Sequence, residues 1–409
     1  MTQIPAMGGA DHRVTNDTPD LGARRSDATW HDARIERPTC VLPQAPEAFT
    51  RLNSVTMQHE WLLLETLGSE PAVVADGTAR KDFIPISDYL RKSAHLSAVQ
   101  TAVSETITTR TGLDSLTPKQ KKIIRTAPVV MSDGRVHGVQ LWLGPANAEP
   151  AERPQVGTVK WNLSTGVASS SSQAVAVRGG DPDAEPLQIR AFADDLPVGP
   201  LTEGEIKLIA TVLRRIPGET VSGTLEIRRA DGEPVSEAFA ARMMLEEGDD
   251  GSDQLIGRSM TWVCPPDPDY VEPDSLARRL LEGMAVPGTQ RAIVDLTSWK
   301  TLKWLDEPST EYDWRSQVVH HGDGPVRERM EKEFASGSTS GVIRLANHVG
   351  DWVRLKTTIH RIEIEPGVFA GLVSVRRATD AEVAAELTPA PVEPKTEQLP
   401  LIDAPAPER

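Results

Sequence analysis

Three stretches of the chain end alike, and this recurrence limits the fold more than any other feature. HGVQLWLGP (137–145), IGRSMTWVCP (256–265) and AGLVSVRRA (370–378) each read as a strand with a glycine near its start. The glycines are Gly138, Gly257 and Gly371, about 115 to 120 residues apart. A period this long belongs to a tandem array of domains, not to a solenoid. Glycine weakens a strand interior, so its return at one place marks a bulge or a close backbone approach. Two blocks also open alike, with VKWNLSTGVAS (159–169) and AIVDLTSWKTL (292–302).

Two proline-rich polar stretches, GPANAEPAERPQ (144–155) and PPDPDYVEPD (265–274), separate the blocks. The expected organisation is a disordered leader at 1–56, domains at 57–150, 155–267 and 271–380, and a disordered proline-rich, acidic tail at 381–409. Strand-like character begins abruptly at Met57, which is therefore an alternative start. After Pro389 the prolines and acids forbid a packed core and favour a solvated, extended tail.

Within each block a strand or two comes first, then short helices, then late strands. That order predicts an α+β fold with three antiparallel sheets, each covered on one face by short helices. In the first block WLLLETLGSEPAVVADG reads as two strands. Residues 83–110 read as helix, with Leu96, Val99 and Val103 at helical spacing. KKIIRTAPVVMS and RVHGVQLWLG read as a hairpin around SDGR.

The 409 residues carry a formal net charge of −15. This excludes nucleic-acid binding as the main task, because phosphate recognition needs a dense cationic surface. It also disfavours docking on anionic lipid. No apolar run is long enough to span a membrane, and the N-terminus lacks the apolar core of a secretory signal, so the expected location is the cytoplasm. The two cysteines, Cys40 and Cys264, lie far apart in sequence and form no CxxC pair. Cys264 reads as a small hydrophobe in or near a strand. No metal is expected.

The stretch VVHHGDGPVRERM (318–330) holds the one cluster of catalytic residue types, His320, His321 and Asp323. Neighbours on an extended chain point to opposite faces, so the two histidines do not readily share a metal. No HExxH, GxSxG or kinase-type motif accompanies them. The structural reading accounts for more residues. Asp323 or Gly324 caps a helix with Pro325 in its first turn, and His320 stabilises the turn through its ring. Val326, Met330 and Phe334 then share one helix face, and Gly337 is the expected C′ residue.

From here the sequence resembles the second half of a PAS domain. The turn is Val319-His320-His321-Gly322-Asp323, the following strand carries Ile343-Arg344, and the next motif is Gly350-Asp351-Trp352-Val353-Arg354. The ending is Arg377-Ala378-Thr379-Asp380, a departure from the usual Asp-Ile-Thr, and His321-Gly322 replaces the usual proline step. Over residues 57–380 the chain resembles an actinobacterial family of tandem PAS-like proteins whose first domain is GAF-like. The resemblance implies three PAS-like domains, a signalling role and a tendency to homodimerise. It brings no site residues.

A PAS-like sheet leaves room for a ligand against its helices. Val353, Leu355, Thr357 and Ile359 alternate on one face and are the pocket candidates, together with Gly371. Trp352, Arg354, Lys356 and Thr358 take the other face. Ile362 and Ile364 fall out of step, which predicts a bulge near His360-Arg361. Neither cysteine has the Asn-Cys-Arg context of a flavin photosensor. His95 is the only placed candidate for a haem ligand and reads as an ordinary helix histidine, so no cofactor is expected. Most of the nine tryptophans read as core or hairpin anchors. No output module follows the third block. Three readings follow in order: a sensor or adaptor binding a small apolar ligand or a partner protein, a scaffold with filled pockets, and an enzyme using His320, His321 and Asp323.

Overall fold

The structure is a computed structural model describing residues 60–117, 121–184, 187–188, 190–229, 234–248, 251–265, 279 and 283–387. The leader 1–56, Met57, Cys40, most of the second linker and the tail beyond 387 lie outside the described residues.

The first sheet contains β1 (Leu62–Glu65), β2 (Ala72–Asp76), β3 (Ala79–Pro85), β4 (Leu113–Leu116), β5 (Lys122–Val130) and β6 (Val136–Pro145), in the order β3-β2-β1-β6-β5-β4. The second contains β7 (Gly157–Asn162), β8 (Val167–Ser170), β9 (Arg190–Ala191), β10 (Thr220–Arg228), β11 (Pro234–Glu247) and β12 (Asp253–Cys264). Its order, β9-β8-β7-β12-β11-β10, repeats the path of the first. The third contains β13 (Thr289–Val294), β14 (Thr301–Trp304), β15 (Ser338–Ala346), β16 (Trp352–Glu365) and β17 (Val368–Arg377), in the order β14-β13-β17-β16-β15. In every sheet the first strand lies between the second and the last, and every pairing is antiparallel.

The recurrent glycines occupy one position in this path. Gly138 pairs with Glu65, Gly257 with Trp161 and Gly371 with Val294, each at the last or next-to-last residue of the first strand of its sheet. A Cβ on Gly138 would lie 2.4 Å from the Leu64 carbonyl oxygen; on Gly257 it would meet the Trp161 ring at 2.9 Å, and on Gly371 the Val294 side chain at 2.8 Å. The repeat thus preserves a close approach.

Between early and late strands lie α1 (Ile86–Tyr89) and α2 (Leu96–Thr109), then α3 (Ser172–Val177) and α4 (Glu203–Arg214), and in the third domain α5 (Gly324–Phe334). A last helix, α6 (Asp380–Leu387), follows β17. The single helix expected over 83–110 is broken. Phe83–Pro85 finish β3, because Ile84 and Pro85 pair with Val73 and Ala72, and Leu90 ends α1. Helix α2 begins only at Leu96 and buries Val99 and Val103. Strands β3, β4 and β9 are too short or too polar to show a clear period.

Leu62, Leu63 and Leu64 are all buried, because both faces of the first sheet are covered. Leu62 and Leu64 pack with Val99 and Val103 of α2. Leu63 faces the second sheet, where it joins Val74, Val129, Ala238, Ala240, Met260 and Trp262. Cys264 ends β12 in this same cluster, as the small hydrophobe expected there. The second domain's own core is filled by Trp161, Phe192, Leu196, Leu208, Ile209, Phe239 and Met243.

Helix α4 starts at a reciprocal cap. The Glu205 backbone N–H donates to Thr202 Oγ1 and the Thr202 N–H donates to Glu205 Oε2. The helix lies against β10 and also reaches β16 and β17 of the third sheet. Arg214 pairs with Glu365, Arg215 with Asp295 and Lys303 with Glu205 across that boundary.

In the third domain Pro325 stands in the first turn of α5. Asp323 holds the N-cap position but makes no side-chain cap; its carboxylate accepts from the Arg344 N–H at 2.7 Å and the Arg344 guanidinium at 2.9 Å. A charged, two-point partner outcompetes a single helix N–H. Gly324 is the first residue of the helix. Ala335 still has helical angles, so Gly337, at φ +96°, turns the chain two residues beyond the C-cap instead of at C′. Pairing of β16 with β17 runs unbroken through His360 and Arg361, and the irregularity lies at Glu363–Glu365. The wide hairpin end, not the centre of the strand, absorbs the extra residue.

Candidate functional site

The inner face of the third sheet and helix α5 enclose a cavity of about 270 Å³. The sheet contributes Ala292, Val294, Thr357, Ile359, Val373 and Val375, and α5 contributes Arg327, Met330 and Glu331. A further wall comes from Trp299, Thr301 and Trp304, with Tyr312, Trp314 and Gln317 beside them.

Strand β14 builds that wall through a bulge. Trp304 pairs with Ala292, Lys303 with Ile293 and Thr301 with Val294, so Leu302 is the extra residue. Strict alternation would send Thr301 and Trp304 to opposite faces. With the bulge both line the cavity, while Leu302 enters the second domain's core and Lys303 reaches Glu205 and the Pro197 carbonyl.

The turn before β14 is fixed by Asp295. Its carboxylate accepts from Thr297 N–H, Ser298 N–H, the Ser298 hydroxyl and Arg215 of the second domain. Burial opposes charge on Asp295, but these donors outweigh it and hold the carboxyl below its ordinary range. The turn places Trp299 at φ +59°, and Gln317 in the same wall stands at φ +50°. Non-glycine residues seldom adopt this region, and such strain collects where surroundings overdetermine a site. The Gln317 amide donates to Thr301 Oγ1 at 2.8 Å, tying the 312–317 segment to β14.

Three residues of the lining are polar, buried and unsatisfied. Trp304 Nε1, Tyr312 Oη and Thr357 Oγ1 have no hydrogen-bond partner among the described residues. Burial pushes the Tyr312 phenol up to about 12, with the Glu311 charge adding to the effect. It is therefore neutral and able to donate. Trp304 and Trp314 meet edge to face at 5.4 Å and form an aromatic corner.

Of the residues expected to form a pocket, Thr357 and Ile359 line the cavity. Val353 and Leu355 lie in the core cluster nearby without lining it, and Gly371 packs on Val294, Leu296 and Ile359. The aromatic wall has no strand or helix period to reveal it. Its only trace in sequence is the density of Trp299, Trp304, Tyr312 and Trp314 within a short interval.

The His320–His321 stretch forms a different arrangement. The two rings stack at 4.4 Å and His320 meets Trp352 edge-on at 4.7 Å. The expectation of opposite faces fails because His321 begins a 3₁₀ turn and is not extended. His320 Nδ1 accepts from the Gly322 N–H at 2.9 Å, which is the expected turn stabilisation. The Asp323 carboxylate is taken by Arg344, and no group able to hold a metal ion occurs among the described residues. His95 stands at the N-cap of α2, outside the cavity. No described helix is long and apolar enough to cross a membrane.

No curated protein matches the chain. A solved structure from Mycobacterium tuberculosis, titled a putative uncharacterized protein, is 43% identical; the match covers 80% of this chain and 99% of that one, with a TM-score of 0.74. A sensory box histidine kinase/response regulator from Burkholderia thailandensis is 17% identical over 26% of this chain and 77% of its own, with a TM-score of 0.20. An RNA-binding light-oxygen-voltage receptor is 9% identical over 57% of this chain and 97% of its own, with a TM-score of 0.22. Scores this low carry no argument about fold. Residues 60–152, 155–264 and 274–386 match, in order, the N-terminal, middle and C-terminal domains of the Rv3651-like family. With three consecutive domain matches and a 43% identical relative matched along nearly its whole length, the chain belongs to the Rv3651-like family.

Proposed function

We propose that this protein is a non-enzymatic, cytoplasmic sensor or adaptor built from three PAS-like domains, whose third domain binds a small, mostly apolar ligand. The carrying observation is the 270 Å³ cavity with three buried polar atoms that have no partner among the described residues. Native interiors pair nearly all such atoms and leave few voids of this size. An apolar cavity of about 150 Å³ already holds benzene. The repeated sheet path, with helices between early and late strands, supports the PAS-like reading.

In this reading the signal leaves through contacts between domains. The β14 wall of the cavity is held by the second domain at two points, through Lys303–Glu205 and Asp295–Arg215. A ligand that shifts β14 or the 295–300 turn therefore changes the seat of α4. That surface, or a partner protein docked elsewhere on the chain, reads the change.

Native mass spectrometry of the purified full chain, with denaturing extraction and an absorption spectrum of the same sample, tests this reading. A stoichiometric extra mass released on denaturation supports it. A bare polypeptide mass, together with no saturable binding in a fragment screen, overturns it in favour of a ligand-free scaffold.

A further inference from the structure

The class of ligand can be read from the charges around the cavity. Its lining includes Arg327 and Lys300, one from α5 and one from the turn before β14, and neither forms an ion pair among the described residues. Arg327 is exposed and Lys300 half-buried. Glu331, one helical turn beyond Arg327, is the only carboxylate in the lining among the described residues. Two cations against one carboxylate leave the mouth with a net positive charge. The interior is aromatic, with Trp299, Trp304, Tyr312 and Trp314 on one side and aliphatic sheet residues on the other.

Size sets a second limit. Scaling from the benzene-filled cavity, 270 Å³ admits about eleven heavy atoms of buried ligand, near the size of a bicyclic aromatic. Polarity sets a third. Trp304 Nε1 can only donate, whereas Tyr312 Oη and Thr357 Oγ1 can donate or accept. A fitting ligand therefore carries a hydroxyl or carbonyl oxygen at its buried end.

We infer that the third domain binds a planar aromatic monocarboxylate with an oxygen substituent opposite the carboxylate. The rings stack among Trp304, Trp314 and Tyr312, the buried oxygen takes the Trp304 N–H, and the carboxylate meets Arg327 and Lys300 at the mouth. Arg327 supplies the planar fork that suits a carboxylate. Glu331 disfavours a second negative charge on the same ligand. This inference rests on the ligand-binding reading above and narrows it.

Calorimetric titration of the full chain with 6-hydroxynaphthalene-2-carboxylate and with the matching carboxamide separates the two levels of the argument. The carboxylate should bind about tenfold more tightly, the usual worth of a charge-assisted contact. Arg327→Gln, a change at an exposed residue, should remove most of that preference. Equal affinities for the two probes, or a preference that survives Arg327→Gln and Lys300→Gln together, overturn the anion assignment while the ligand pocket stands. Binding of neither probe at about millimolar concentration overturns both.

Discussion

Lys303 and Glu205 pair across the boundary between the second and third domains with both side chains only 1% exposed. Burial lowers the Lys303 pKa, and the Glu205 charge opposes that shift. Glu205 also completes the cap of α4, so one carboxylate fixes a helix in the second domain and a cavity wall in the third. Glu205→Ala leaves a buried ammonium without its counter-charge and should cost about 3–5 kcal/mol. Combining Lys303→Met with Glu205→Leu should recover most of that loss, because a matched apolar pair leaves no charge stranded. Urea unfolding of the two variants beside the parent checks this. A Glu205→Ala loss below about 1 kcal/mol would mean that solvent reaches the pair.

Thr357→Val should stabilise the protein. Valine keeps the branched shape of threonine and removes a buried hydroxyl that has no partner among the described residues. The gain should be about 1 kcal/mol, at the low end of the desolvation penalty for such a group. Equilibrium denaturation reads it directly. A loss of stability would show that the hydroxyl is satisfied in solution.

The repeated glycines should differ in tolerance. At Gly138 a methyl group would collide with the Leu64 carbonyl oxygen, which cannot move without the strand. At Gly371 it would meet the ends of Val294 and Leu296, which can adjust. Gly371→Ala should cost about 1–3 kcal/mol, as ordinary overpacking does, and Gly138→Ala more. Thermal unfolding of the two variants gives the order, and the reverse order would contradict the strand geometry.

These glycines also show what the sequence made legible. Gly138, Gly257 and Gly371 recur because a local steric demand recurs, so a repeat of sheets could be read without any contact information. The face of Val353, Leu355, Thr357 and Ile359 could be read for a similar reason, since alternation reports burial along one strand. The cavity's other walls are set by long-range events. The extra residue at Leu302 depends on pairing with β13, and the turn at Trp299 depends on Arg215 from another domain. The stacked His320 and His321 follow from a 3₁₀ turn that an extended reading misses. Neither periodicity nor spacing encodes such features.

His137 should make stability depend on pH. It is buried where the first and second sheets meet, with Arg258 Nη1 at 3.0 Å from Nε2 and the Ser259 carbonyl at 3.3 Å from Nδ1. Arginine can only donate, so Nε2 accepts and the ring proton sits on Nδ1. Burial, then the positive charge of Arg258, lowers its pKa to about 4, with Asp133 opposing and Arg135 adding to the shift. The unfolded chain takes up this proton near pH 6.5, the folded protein only near 4. Stability from His137 is therefore fully present above pH 6.5 and is lost as pH falls toward 4, by an amount of order 3 kcal/mol. Asp133, held at about 2 against its own burial by Arg258, adds a loss in the same direction at still lower pH. His137→Gln keeps a donor and an acceptor but cannot titrate. Urea midpoints at pH 7 and pH 4.5 should fall less for this variant than for the parent, and parallel falls would assign the acid sensitivity to other groups.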